Sequence, residues 1–87
     1  MISSLYQEAV DKWGKEHQLL VTVEEMAEAT ASIAQFVNRG RNVEEDVIEE
    51  LADVYIMIRQ VEIIYGARFT KAICKKLNKL KGHLDAT

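Results

Sequence analysis

At 87 residues the chain is read as one domain spanning residues 1–87, small enough that its own core is marginal. Apolar residues make up 48% of it, proline is absent, and four glycines fall between periodic segments, the composition of an all-helical protein. The net charge of -3 argues neither for nor against nucleic acid, but the basic residues form one short stripe without interleaved aromatics, so no nucleic-acid partner is expected. The longest apolar run, Val54 to Ile58, is far too short to span a membrane, and no membrane partner is expected. A single cysteine, Cys74, excludes an internal disulfide and suits a reducing compartment. Met1-Ile2-Ser3-Ser4 carries no basic, apolar leader, and the expected location is cytoplasmic.

Four helices are expected in chain order. Ser4-Leu5-Tyr6-Gln7 has the form of a capping box and opens a first helix that ends near Gly14. The second begins between Glu16 and Thr22, with Thr22-x-x-Glu25 as another possible box. Its apolar stripe is Leu19, Val23, Met26, Ile33 and Val37, flanked by Ala27, Ala31 and Ala34, and Gly40 closes it. Asn42 caps a third helix that runs to Tyr65 and stops at Gly66. The last runs from Ala67 to Leu80 or beyond, with Phe69, Ile73, Leu77, Leu80 and Leu84 on one stripe. The short turn at Gly40 predicts a central antiparallel hairpin of the second and third helices within a four-helix bundle-like chain. The third helix is apolar on more than one side around Val54 to Ile58, which predicts a homo-oligomer.

One pattern occurs twice. Glu24-Glu25-Met26-Ala27-Glu28 returns as Glu49-Glu50-Leu51-Ala52-Asp53, each copy giving two acids three positions apart on a helix. At about 100° per residue, such a pair shares one face, one turn apart. Measured from the turn, the two pairs stand at similar heights, so a hairpin would place four carboxylates around one small volume. Like charges at about 4 Å repel by roughly 4 kcal/mol at an effective dielectric near 20, so such a cluster calls for a cation. Either motif alone is what a solvated helix face produces by chance; the pair points to a site. The donors are all oxygen, which selects magnesium or manganese over zinc or copper. Di-iron chemistry would use Glu-x-x-His pairs, and neither His17, preceded by Gly14, nor His83, preceded by Leu80, supplies one.

Charge is sorted along the chain as well. Ten acids stand against three arginines between Glu24 and Glu62, whereas six bases stand against Asp85 from Arg68 onward. An acidic centre and a basic tail suit a ligand that is both metal-bound and anionic, although solvated helix faces account for most of these residues.

Glu25-x-x-Glu28, a spacer of 21 residues and Glu50-x-x-Asp53 resemble the ExxE…ExxD signature of the MazG-like all-α nucleoside triphosphate pyrophosphohydrolases. Trp13-Gly14, Gln18-Leu19 and Glu49-Glu50-Leu51-Ala52-Asp53-Val54 are similar to the short members of that family, and the likeness covers roughly residues 5 to 81. The resemblance implies hydrolysis of a (d)NTP between its α- and β-phosphates. It implies Mg2+, with Mn2+ as substitute, held by Glu25, Glu28, Glu50 and Asp53, and a dimer or tetramer. Glu24 is the candidate general base, with a helix N-terminal acid favoured by the dipole as the alternative. Lys76, in Lys76-Leu77-Asn78-Lys79-Leu80, is the candidate phosphate contact; leucine at position 80 departs from the family's asparagine. Gln18 and Trp13 are candidates for contacting base or sugar, against a core position for Trp13. His17 is expected to be a satisfied helix-end histidine, and Cys74 and His83 structural or incidental. Two other readings remain open: a phosphoribosyl-ATP pyrophosphatase on the same scaffold, and a non-catalytic helical assembly or regulatory protein.

Overall fold

The computed structural model describes residues 2–39 and 43–86. Within them the chain is all-helical, four helices and no strand: α1 (Ile2–Trp13), α2 (Lys15–Arg39), α3 (Glu44–Tyr65) and α4 (Ala67–Ala86). No helix is long and apolar enough to cross a membrane.

Glycine sets two of the junctions. Gly14 takes φ 85°, its N–H donating to Val10 O at 2.8 Å while its own carbonyl accepts from Gln18 N at 3.1 Å. One left-handed residue thus ends α1 and starts α2, a conformation that costs glycine nothing sterically. Gly66, at φ 58°, ends α3 through its N–H to Glu62 O at 2.7 Å.

The helix starts differ from those expected. Ser4 lies inside α1, and Gln7 donates to Asp11 Oδ1 at 2.9 Å instead of reaching back to a cap. α2 begins at Lys15, and Thr22 sits within it, donating to Gln18 O at 2.7 Å, so the second box is not used either. For α3 the N-cap residue is Val43, without a side-chain cap; Glu44, Glu45 and Asp46 in the first turn compensate through the helix dipole. Gly40 and Asn42, expected as stop and cap, lie outside the described residues.

α2 packs most extensively on α3, and α1 lies mainly on α3. Gln18 meets Gln60 while Glu25 and Glu28 meet Glu50, so numbers fall along α3 as they rise along α2. Tyr65 ties one end together, with Lys15 Nζ at 5.1 Å and the Arg68 guanidinium at 5.4 Å from its ring centre.

The face that α2 turns to α3 is not its apolar stripe. Gln18, Thr22 and Ala29 are buried and Glu25 is half-buried, whereas Val23, Met26, Ile33 and Val37 are exposed. At about 100° per residue the two faces lie roughly a quarter-turn apart. The expected core stripe of α2 is therefore outward in the single chain, and the buried apolar side chains are only Ala29, Met57 and Val61 among the described residues.

Candidate metal centre

Positions 18, 22, 25 and 29 recur every three or four residues, so one face of α2 carries Gln18, Thr22, Glu25 and Ala29 toward α3. On α3 the matching face carries Glu50, Met57, Gln60 and Val61. Glu25 and Glu50 thus stand on the helix-to-helix face itself, and Glu28 stands about 60° round at its edge. One carboxylate oxygen from each of Glu25, Glu28 and Glu50 lies within 4.8 Å of the other two. The repeat read in the sequence is brought together in space for these three. Asp53, exposed, lies close enough for its charge to act on both Glu25 and Glu50.

The electrostatics are those of crowded acids. Burial pushes the Glu25 carboxyl above the ordinary glutamate value, and the charges of Glu28, Asp53 and Glu24 push it further. Glu50 is raised too, by burial first, then by the charges of Glu28 and Asp53, a hydrogen bond with Glu28, and the charge of Glu25. Glu25 Oε2 and Glu50 Oε2 are closed off from solvent with no hydrogen-bond donor against them. The ion pairs Arg59–Glu62 at 3.1 Å and Lys81–Asp85 at 2.8 Å lie elsewhere, and neither brings a base to the cluster. Oxygens placed this way would be satisfied by a cation, and an all-oxygen set suits a hard divalent ion.

A second polar constellation lies about two turns along α2 from Glu25. Gln18 Nε2 donates to Gln60 Oε1 at 2.7 Å, and the Gln18 amide oxygen accepts from His17 Nδ1 at 2.7 Å. Gln60 Nε2 in turn faces Ile56 O at 3.4 Å. Trp13 stacks on His17 with ring centres 6.3 Å apart. Trp13, at the end of α1, is 50% exposed, so the core position given as its alternative is corrected.

No family model, curated protein or solved structure matches the chain.

The remaining candidates are placed as follows. Glu24 is exposed, one turn before Glu28. Gln18 is buried, its amide engaged on both sides by Gln60 and His17. Lys76 is exposed on α4, a helix that packs only against α3. Gln60 escaped sequence reading. The signal for it was an amide on the same α3 face as Met57, Val61 and Ile64, where a buried polar group demands a partner.

Proposed function

We propose that the chain is a Mg2+-dependent nucleoside triphosphate pyrophosphohydrolase built on a central antiparallel hairpin of α2 and α3. The observation that carries this reading is the pair of occluded, unpartnered oxygens of Glu25 and Glu50, gathered with Glu28 within 4.8 Å from two different helices. Glu25, Glu28 and Glu50 would hold the ion, with Asp53 as fourth donor. When bound, the ion supplies charge neutralisation for the phosphates and acidifies the attacking water.

The chain's own residues do the rest. Glu24, outside the ligand set and open to solvent, accepts the proton of that water at its carboxylate. Water and (d)NTP become (d)NMP and pyrophosphate, the α–β bridging bond breaking and the pyrophosphate leaving with its electron pair. Trp13 offers a half-exposed ring held flat by His17, a stacking surface for the base. Gln18 serves that surface from behind, by orienting His17. Lys76 is the proposed phosphate contact, and Lys76→Ala is expected to raise KM more than it lowers kcat. The working form is a homo-oligomer, dimer or tetramer, acting in the cytoplasm.

The test is pyrophosphate release from a panel of canonical and damaged (d)NTPs with Mg2+ or Mn2+, alongside Glu28→Gln. Metal-dependent release that the variant loses supports the proposal. No release from any nucleotide by folded protein overturns it, and moves the reading to a phosphoribosyl-ATP substrate, then to a non-catalytic assembly protein.

A further inference from the structure

α4 is a 20-residue amphipathic helix whose apolar side packs against no other helix than α3 among the described residues. None of its residues is buried, and Ile73, Leu77, Leu80 and Leu84 stand 38% to 65% exposed. Phe69, Ile73, Leu77 and Leu80 line a shallow apolar groove along the helix. α4 touches α3 alone, leaving by way of Gly66.

The surface area says how much cover is missing. The chain exposes 6853 Å², roughly 1,600 Å² more than a compact monomer of its mass would. A standard interface takes about 800 Å² from each partner, and obligate dimers take about 1,000 to 2,500 Å². The excess falls in the obligate range. Shape agrees: the radius of gyration is 15.8 Å, against about 12 Å for a compact domain of this length.

We propose that α4 is an exchanged arm, docking its apolar stripe on the exposed α3 stripe of a second copy of this chain while receiving that copy's α4 in return. The receiving stripe is Ile48, Leu51 and Tyr55, spaced 3 and 4 apart and 44% to 59% exposed, on the side of α3 turned away from α2. Charge selects this pairing over α4 on α4. The arm carries six bases against one acid, so two arms laid together repel. α3 opens with Glu44, Glu45, Asp46 and Glu49, all exposed, which attract the arm. The exchange is isologous, so it closes as a two-fold dimer and leaves no open end. It does not rest on the pyrophosphohydrolase reading: an inactive protein would need the same cover.

The test is mass by light scattering together with zero-length carbodiimide cross-linking of a mixture of ¹⁵N-labelled and unlabelled chains. The expected result is a dimer, with mixed-isotope cross-links joining α4 lysines to α3 acids. Ile73→Asp with Leu77→Asp is expected to weaken association by at least about 100-fold, the loss of two buried apolar side chains. A monomer at micromolar concentration overturns the proposal. So does a dimer whose interchain cross-links leave out α4, or a double variant that stays fully dimeric. The cross-links are read on the unmodified chain and decide the matter even if the double variant does not fold.

Discussion

Glu25 and Glu50 each keep one oxygen out of solvent with no donor against it, beside a third carboxylate from Glu28. Their raised proton affinities fix a sign for stability. Between the ordinary glutamate value and the raised one, the folded chain binds more protons than the unfolded chain. Metal-free protein therefore loses stability as pH rises through that window. Glu50→Gln removes one of the crowded charges. Metal-free Glu50→Gln is expected to melt above wild type at neutral pH, with the gap closing as pH falls through the same window. Mg2+ should raise the wild-type Tm and leave the variant's nearly unchanged; thermal melts at several pH values, with and without metal, check both. If the proposed hydrolysis holds, Glu28→Gln and Asp53→Asn should each cost turnover more than the roughly 10- to 100-fold typical of losing a supporting residue, with far-UV circular dichroism unchanged. The doubled acid motif was legible because residue type and spacing alone carry it. Which two oxygens are occluded was not, since that depends on the rotation of each helix about its axis.

Among the elements, α2 shows most plainly where periodicity informs and where it misleads. Its junction with α1 at Gly14, like that of α3 with α4 at Gly66, follows from local physics: both glycines adopt positive φ where an L side chain would be strained. Its apolar stripe was equally legible as a stripe. Periodicity says that Val23, Met26 and Val37 share a face, but not that this face meets α3, and within the chain it does not. The contact face is polar, carrying Gln18, Thr22 and Glu25, and the Gln18–Gln60 bond at 2.7 Å fastens the helices there. Gln60→Ala would leave the buried Gln18 amide without its acceptor. It is expected to cost about 1–3 kcal/mol, read as a fall in the urea midpoint. The capping boxes at Ser4 and Thr22 misled for a related reason: a box is a local preference, and helix already extends past both residues.

At the scale of the whole molecule, a core of Ala29, Met57 and Val61 is too small to offset the ordering of four helices. On the proposed arm exchange, association supplies the difference and folding and assembly form one equilibrium. Tm is expected to rise with protein concentration over a roughly 100-fold range, in metal-free buffer as well as with Mg2+. A concentration-independent Tm would mean that the single chain is stable with its apolar stripes bare.

The sequence by itself determined that the chain is helical, that helices change at Gly14 and Gly66, and that one acid pattern recurs. These follow from backbone preferences and from spacing, which act over a few residues. Only the tertiary structure decided that Glu25, Glu28 and Glu50 converge, that Gln18 is spent on Gln60 and His17, and that the apolar stripes of α2, α3 and α4 face outward. The physical reason is rotational: periodicity fixes which residues share a helix face, whereas packing against a partner fixes where that face points.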